Sequence, residues 1–297
     1  MLPRRHIRIK VFQSLYAREQ QNRDTNFNIQ EEFKNNLNGY INIYDLIIDL
    51  LRVLYRIATE EIKIKQSNLM PSKEDLEPNP RFIKNFIFKK IKEQKETSIN
   101  ISSDAVNNIV KQIFKQIKKS KSYIKYMQKS SITQSDEKQI IFHILKTYFI
   151  GNEKIHDFIE TYSIYWNDDI LIAYNMLMEK INNNYQINNV KLFRKKEDKL
   201  FGESLLLNTI KKEDEVSEII YKLADNWDKE RIALTDLILL RMALTELKCI
   251  KNIPNKVTLD EYIEISKQYS TPKSKEFING ILDVFIKDNL MKTSTES

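Results

Sequence analysis

Glycine and proline are scarce in this chain, which contains four glycines and six prolines among its 297 residues. So few turn-forming residues argue against a turn-rich β protein, and isolated glycines supply no glycine-rich loop for a dinucleotide. Apolar residues recur instead with helical periodicity, for example at Ile7, Val11 and Leu15. Strand-like alternation and repeats of fixed period are not evident. The sequence therefore predicts an all-α fold.

Helical periodicity predicts a series of helices that are separated by short polar breaks. They are expected at 5–22, 28–37, 40–66, 81–95, 104–129, 136–150, 152–164, 167–184, 199–225, 230–251, 258–269 and 272–289. The segment 67–80 contains three prolines and is predicted to be a loop. In 40–66 charged residues recur every three to four positions, which indicates an amphipathic core helix rather than a membrane span.

The composition indicates a globular protein with a weak preference for polyanionic partners. The net charge is +7 and the isoelectric point is about 9.1. Cys249 is the single cysteine, so a disulfide framework is excluded and a reducing cytoplasm is expected. The cationic start of the chain has no apolar stretch behind it, so we expect neither an export signal nor membrane association.

The region 81–129 carries most of the excess positive charge. It contains 13 Lys or Arg residues against three acids, a local balance of +10. Five aromatic residues are interleaved with these cations: Phe86, Phe88, Phe114, Tyr123 and Tyr126. They could stack on bases, or they could belong to the core while the lysines form a solvated face. We favour the second interpretation.

The sequence offers no recognisable catalytic or metal-binding pattern. His6, His143 and His156 lie far apart, and no HExxH, CxxC or G-x-S-x-G motif occurs. His143 and His156 lie among apolar residues and are interpreted as packing residues. We therefore expect no enzymatic activity, no metal and no cofactor.

The first helix begins with an unusual concentration of cations. Arg4, Arg5, His6, Arg8 and Lys10 fall within seven positions, and no acid precedes Glu19. Cations near a helix N-terminus oppose the helix dipole at a cost of several tenths of a kcal/mol each. Such an arrangement favours a polyanionic ligand at this end of the helix.

The C-terminal third combines strong helix signals with charges in apolar surroundings. The segment 234–248 is apolar nearly all round, so Arg241 and Glu246 are predicted to join internal ion pairs. Thr258 and Glu261 have the spacing of a capping box at the start of a helix. Gly280 falls in a predicted helix, where it suggests a close approach by another helix or by a ligand.

Four segments resemble the NusB family of bacterial transcription antitermination factors. They are R-R-x-x-R-x-x-x-x-Q-x-L-Y at 4–16, LRMALTEL at 240–247, IPNKVTLDEYIEISKQY at 253–269 and S-x-x-FINGILD at 274–283. The resemblance covers roughly the first 17 and the last 95 residues. The intervening segment, about 18–198, is longer than the usual connection in that family and matches nothing in it.

The resemblance implies a NusB-like fold of two helical subdomains, the N-terminal one extended by extra helices. We accordingly divide the chain into an N-terminal helical region at 1–198, a C-terminal NusB-like domain at 199–291 and a flexible tail at 292–297. The segment 40–180 is expected to form an elongated helical body continuous with the first helix, because its amphipathic helices must bury one face.

The resemblance also implies a cytoplasmic, non-enzymatic RNA-binding protein. With NusE, a small-subunit ribosomal protein, the family binds single-stranded boxA RNA of ribosomal RNA transcripts and joins the RNA polymerase antitermination complex. The RNA-binding residues implied here are Arg4, Arg5, His6, Arg8, Lys10, Gln13, Tyr16, Lys273, Ser274, Phe277 and Asn279. Asp236 would face NusE. His6 and Lys273 depart from residues that are common in the family.

Two alternative functions remain open at this stage. The protein could be a helical scaffold with weak RNA binding that works mainly through the insertion. It could also resemble the helical domain that is fused to RNA cytosine methyltransferases. Such an enzyme needs an α/β cofactor-binding domain, and none follows Leu290, so we reject the second alternative.

Overall fold

A computed structural model of the chain describes residues 1–21, 27–67, 72–93, 104–163, 165–183, 187, 190–224 and 232–295. Throughout these ranges the regular structure is helical and no strand occurs, so the predicted all-α class is confirmed. The helices before residue 193 are α1 (Arg4–Gln20), α2 (Ile29–Gln66), α3 (Lys73–Leu76), α4 (Phe86–Lys92), α5 (Asp104–Lys119), α6 (Lys121–Gln128), α7 (Gln134–Ile144), α8 (Glu153–Glu160) and α9 (Trp166–Asn182). Those after it are α10 (Lys196–Lys211), α11 (Glu213–Leu223), α12 (Leu234–Cys249), α13 (Asn255–Tyr269) and α14 (Ser274–Thr295). A π-helical segment, Leu145–Ile150, directly follows α7.

The chain forms two compact units, and the first of them is assembled from both ends of the sequence. Unit 1 comprises residues 1–37 and 193–297, and unit 2 comprises residues 38–192. The sequence-based division differs, because it grouped the first helix with the central segment and ended that region at 198. In the structure α1 belongs with the C-terminal helices, since it contacts α10, α12 and α13.

Helix α12 forms the centre of unit 1. Its residues 238–240 and 242–244 are buried, and the helix contacts α1, α10, α11, α13 and α14. A helix that is apolar around its whole circumference requires neighbours on every side. These surrounding helices meet that requirement.

Gly202 allows α10 to approach α1 closely. A Cβ atom at this position would lie 2.6 Å from Cγ2 of Ile7 and 3.0 Å from Cζ of Phe33. Both distances are shorter than the 3.5–4.0 Å or so at which carbon atoms attract each other best. A larger residue at 202 would therefore push α1 away from α10.

Unit 2 has a hydrophobic core of its own. It is built around the part of α2 after residue 38, whose buried apolar residues pack with those of α4, α5, α7, α8 and α9. The prediction that 40–180 is helical and buries its apolar faces is confirmed for the described residues of that range. The predicted continuity with the first helix is wrong, because α1 belongs to unit 1 and this segment belongs to unit 2.

Helix α2 is continuous, whereas the sequence predicted separate helices at 28–37 and 40–66. The predicted break falls at Asn38 and Gly39, which are poor helix formers. A Cβ at Gly39 would lie 3.1 Å from Nε1 of Trp166, so the glycine leaves room for the indole ring. Tertiary packing thus overrides local helix propensity at this point.

Two long predicted helices are each divided in the structure. The predicted helix 104–129 is interrupted at Ser120, whose hydroxyl caps the start of α6. The predicted helix 199–225 is interrupted at Lys212, between α10 and α11.

The predicted capping box at Thr258 and Glu261 is wrong. Helix α13 already begins at Asn255, so both residues lie inside it. The Thr258 hydroxyl donates a hydrogen bond to Oε1 of Glu246 at 2.9 Å, while Glu261 accepts hydrogen bonds from the first helix. The side chains of Thr258 and Glu261 therefore make contacts between helices and do not cap the start of α13.

Helix α14 extends to Thr295, beyond its predicted end at 289. The flexible tail predicted at 292–297 is therefore mostly helical, and residues 296–297 lie outside the described residues. The loop predicted at 67–80 contains α3, and its residues 68–71 also lie outside the described residues.

Candidate nucleic-acid interface

The predicted site residues lie at two places in unit 1. The segment 4–10 occupies the first half of α1, which contacts α10 and α13. The segment 273–279 contains the start of α14, which contacts α12 and α13. At both places some of the predicted site residues are accessible to solvent and others are buried.

Arg4 and Arg5 are accessible but held in place by acidic residues of other helices. Nε of Arg4 donates to Oδ1 of Asp198 at 2.9 Å, and its guanidinium carbon lies 5.1 Å from the ring centroid of Phe201. Arg5 donates two hydrogen bonds to Glu261, at 2.8 and 2.9 Å. The side chains remain 34% and 41% exposed. The two guanidinium groups are thus oriented before any ligand arrives.

The hydrogen bonds between Arg5 and Glu261 also affect both ionisation equilibria. They raise the pKa of the guanidinium and lower the pKa of the carboxyl group. Both groups are therefore charged at neutral pH, and a phosphate must compete with Glu261 for Arg5.

Arg8 is internal, which corrects its prediction as an RNA-binding residue. Its side chain is 2% exposed and donates two hydrogen bonds to Glu246, at 2.8 and 2.5 Å. The hydroxyls of Thr258 and Tyr262 donate to the same carboxylate, at 2.9 and 3.1 Å. A buried charge needs this degree of hydrogen bonding to offset its desolvation. Arg8 is therefore a structural residue that joins α1 to α12.

Arg241 forms a second internal ion pair in unit 1. Its Nη1 donates to Oε1 of Glu213 at 2.7 Å, and its Nε donates to the hydroxyl of Ser217 at 2.9 Å. Together with the Glu246 pair, this contact confirms the prediction that Arg241 and Glu246 join internal ion pairs.

Lys10 and Gln13 are also buried, so their predicted roles in RNA binding are corrected. Lys10 has no exposed surface, and its ammonium group donates to Oε1 of Gln13 at 3.1 Å. Because a phosphate cannot reach an ammonium group without displacing the surrounding core, Lys10 does not contribute to an RNA surface. The two residues are three positions apart, so their side chains meet on one face of α1.

His6 is partly buried and does not add positive charge at neutral pH. Burial, together with the nearby cations Lys10 and Arg5, lowers its pKa to about 4. The imidazole is therefore neutral at pH 7. Only two of the five clustered basic residues, Arg4 and Arg5, present cationic surface to solvent.

A groove of about 520 Å³ lies beside these two arginines, between the start of α1 and the start of α13. Its polar wall contains Arg4, Arg5 and Glu261, and its apolar wall includes Pro254 and Val257. Val257 is 45% exposed. This combination of apolar surface and cationic groups suits a base together with its phosphate.

The start of α14 is organised by Asp236, which corrects the prediction that this residue faces a partner protein. Asp236 is buried and accepts hydrogen bonds from the hydroxyls of Ser270 and Ser274, at 2.5 and 2.7 Å. Ser274 is buried as well, so it is not available to RNA. Both residues fasten the turn between α13 and α14 to α12.

The other predicted residues of this second place differ in accessibility. Phe277 is buried, which corrects its prediction as a stacking platform, whereas Lys273 is exposed and Asn279 is partly exposed. Tyr16 is also partly exposed. Its ring centroid lies 6.3 Å from that of Phe12, which packs in the core of unit 1.

Gly280 does not serve close helix packing. A Cβ at this position would have no atom within 4 Å, apart from the helix's own neighbouring backbone, and the residue is exposed. The expectation that another helix approaches here is wrong. The alternative expectation, a ligand approaching the backbone, stays a prediction.

A group of exposed cations beside Arg4 was not predicted from the sequence. Asp198, its partner, lies in the first turn of α10, and four basic side chains around it are exposed. These are Arg194, Lys195, Lys196 and Lys199. The run FRKKEDK at 193–199 could have drawn attention to them, but it lies outside the four motifs, at 4–16, 240–247, 253–269 and 274–283, that carried the resemblance.

The aromatic residues of the basic region 81–129 belong mainly to the core of unit 2. Phe88, Phe114 and Tyr126 are buried, while Phe86 and Tyr123 are partly buried. The favoured interpretation, in which the aromatics pack inside and the lysines face solvent, is confirmed for these residues.

Within the described residues, no group of three or more His, Cys, Asp or Glu side chains could hold a metal ion. None of the described helices is long and apolar enough to cross a membrane.

Comparison with known proteins places this arrangement in a family. The family model described as NusB family matches residues 169–287. A transcription antitermination protein NusB from Thermodesulfovibrio yellowstonii is 37% identical over 128 residues, which are 42% of this chain and 81% of that protein. The chain belongs to the NusB family. A NusB protein from Salinibacter ruber is 51% identical over 88 residues, 30% of this chain and 55% of that relative. No solved structure matches the chain.

The segment matched by the NusB family model contains most of α9, all of α10 to α13 and most of α14. Helix α1 precedes that segment, but its arginines bind Asp198, Glu246 and Glu261, which all lie within it. The first helix is therefore an integral part of the NusB-like unit. Most of unit 2 lies outside the match and is an addition to it.

Proposed function

We propose that this NusB-family protein is a non-enzymatic, RNA-binding transcription antitermination factor. The similar proteins from Thermodesulfovibrio yellowstonii and Salinibacter ruber carry the name transcription antitermination protein NusB. The aligned segment covers 55% of the Salinibacter protein. The activity of that whole relative is therefore a proposal for this chain. In the proposed role the protein binds boxA-type RNA of ribosomal RNA transcripts together with NusE, as part of the RNA polymerase antitermination complex.

The observation that carries this proposal is the pair of oriented, accessible arginines at the start of α1. Arg4 donates to Asp198 through Nε, so its two terminal NH₂ groups can donate to phosphate oxygens. A guanidinium carries five N–H donors in a fixed fork that suits phosphate oxygens. Orientation by Asp198 and Glu261 reduces the conformational entropy that RNA binding would otherwise cost.

The RNA surface of unit 1 is proposed to include the exposed cations at the start of α10. Lys195 and Lys196 flank the acids Glu197 and Asp198, so the local charge near Arg4 remains positive. Each phosphate that such cations neutralise releases counterions, which makes binding dependent on salt. Arg4, Arg5, Lys195 and Lys196 would therefore set affinity without selecting a sequence.

Sequence selection is proposed to come from the less charged accessible residues. Tyr16 offers a partly exposed ring for stacking, and Asn279 offers an amide that can pair with a base edge. Lys273 is an exposed cation at that second place. Arg8, Lys10, Gln13, Ser274 and Phe277 are proposed to support this surface from within rather than to contact RNA.

The direct test compares RNA sequences in the presence and absence of NusE. We expect the full chain to bind a single-stranded boxA-like RNA more tightly than a scrambled RNA of equal length, and we expect purified NusE to increase that affinity. Fluorescence anisotropy at fixed salt measures both effects. Equal, weak binding of both RNAs with and without NusE would reject the proposal and would favour a scaffold that works through the insertion.

A further inference from the structure

Two consecutive helices of unit 2 carry an uncompensated row of lysines. On α5, Lys111, Lys115 and Lys119 recur every four residues, which spaces them by about 6 Å along the helix axis. All three are exposed, whereas the apolar stripe of the same helix, including Val110 and Ile113, is buried. The row therefore lies on the side of α5 that faces solvent.

The row continues on α6, where Lys121 and Lys125 are exposed and again four residues apart. Ser120 alone separates the two helices, so Lys119 and Lys121 are at most about 7.6 Å apart between Cα atoms. We call Lys111, Lys115, Lys119, Lys121 and Lys125 the lysine ridge.

The neighbouring lysines are neutralised, but the lysine ridge is not. Lys118 pairs with Glu61, and Lys129 pairs with Asp136 at 2.7 Å. No member of the lysine ridge has a carboxylate within 4.0 Å in the part of the chain that the structure describes. Between residues 104 and 129 the single acid is Asp104, at the far end of α5.

Like charges four residues apart on a helix repel each other and destabilise it. Lys111 repels Lys115, Lys115 repels Lys119, and Lys121 repels Lys125. A polyanion that follows the row would remove all of these repulsions at once. The arrangement thus has an electrostatic cost that a ligand of opposite charge relieves.

We propose that the lysine ridge binds the phosphate backbone of RNA without regard to sequence. Lysine is a point charge that suits phosphate contacts, and counterion release makes a row of such contacts additive. The aromatic residues of these helices are not presented for stacking, because Tyr126 is buried and Tyr123 is partly buried. The ridge would therefore anchor RNA rather than read it.

A protein partner fits the lysine ridge less well. The cores of protein–protein interfaces are depleted of lysine and enriched in aromatic residues, methionine and arginine. The ridge contains lysine alone, and α5 and α6 expose one large apolar side chain, Ile124. A membrane surface is disfavoured for the same reason, because interfacial helices bury a broad apolar face in the lipid.

This inference does not rest on the proposed function of unit 1. The lysine ridge lies outside residues 169–287, which match the NusB family model, and it involves different residues from the boxA surface. Its ligand is RNA of any sequence, so a uridine homopolymer without a boxA element is a suitable probe.

The test uses the full chain and the triple variant Lys111→Gln, Lys115→Gln, Lys119→Gln. Glutamine has nearly the helix propensity of lysine, so the fold should be retained. The slope of log K against log salt should become shallower by about 2 units, at about 0.7 per lost phosphate contact. The matched control is Lys211→Gln, Lys222→Gln, Lys287→Gln, which removes the same charge from exposed positions of unit 1 and should leave the slope nearly unchanged.

Two results would overturn the proposal. One is an equal loss of affinity in the ridge variant and the control variant, because that would reflect net charge alone. The other is an unchanged RNA slope in the ridge variant, and lost binding of that variant to phosphatidylserine vesicles would then assign the ridge to a membrane. Repeating the comparison in an Arg4→Gln, Lys195→Gln background separates the two surfaces, and the ridge effect should persist there.

Discussion

The guanidinium of Arg8 and the carboxylate of Glu246 form two hydrogen bonds across 238 residues of sequence. This buried contact joins the first helix to the central helix of unit 1. The entropic cost of joining these helices grows only slowly with the length of the segment between α1 and α10. A unit of 155 residues, 38–192, is therefore accommodated between them.

The first prediction concerns that ion pair. Arg8→Ala leaves Glu246 buried without its charged partner, and breaking a buried pair in this way costs about 3–5 kcal/mol. Hydrogen exchange of the α12 amides should report a corresponding loss of protection. The double variant Arg8→Met, Glu246→Gln should lose less, since no charge remains buried and the glutamine can still accept a hydrogen bond from the Thr258 and Tyr262 hydroxyls. Unchanged exchange in Arg8→Ala would contradict the structural role assigned to this residue.

The second prediction concerns the pH dependence of stability due to His6. Its pKa in the folded protein is about 4, below the usual value of 6.5, so the unfolded chain binds a proton that the folded chain does not. The contribution of His6 to stability should be constant above about pH 6.5 and should decline as the pH falls towards 4. Urea titrations of the wild type and His6→Gln should diverge in this window. Parallel pH profiles would show that the imidazole is not desolvated.

The third prediction contrasts two glycines. Gly280→Ala should stabilise unit 1 by about 0.5–1 kcal/mol, because alanine is the better helix former and nothing obstructs the new methyl group. Gly202→Ala should destabilise it, since the new Cβ would collide with Ile7. Thermal unfolding distinguishes the two. A weaker affinity of Gly280→Ala for boxA-like RNA, without loss of stability, would indicate that RNA approaches the backbone there.

The fourth prediction concerns Asp236. Asp236→Asn weakens the acceptor of the Ser270 and Ser274 hydroxyls, so the start of α14 should lose hydrogen-exchange protection and the melting temperature should fall. Because the side chain is buried, the affinity of the folded variant for NusE should stay within a factor of about two. A large loss of NusE binding with full stability would restore Asp236 to a partner interface.

The fold class and some internal contacts could be predicted from the sequence, because they depend on general rules. Helical periodicity is local, and the cost of burying a charge requires partners for Arg241 and Glu246 wherever they lie. The accessibility of Arg8, Lys10 and Phe277 could not be predicted in this way. It depends on which side of each helix the neighbouring helices cover, and that is decided by tertiary packing.

Tertiary packing also explains why the sequence predicted a helix break at Gly39 and gave no sign of Lys195 and Lys196. Gly39 continues a helix because the indole of Trp166 packs over it, a contact between residues 127 positions apart. Lys195 and Lys196 become relevant because Asp198 binds Arg4 and brings the start of α10 next to the first helix. Neither contact can be inferred from the local pattern of apolar and charged residues in the sequence.

The central claim, that the start of α1 and the start of α10 form an RNA surface, is tested most directly by salt dependence. For boxA-like RNA, the slope of log K against log salt should become shallower by about 1.4 units in Arg4→Gln, Lys195→Gln, at about 0.7 per phosphate. Lys211→Gln, at the other end of α10, should leave the slope as in the wild type. A double variant with the wild-type affinity and slope would contradict the account.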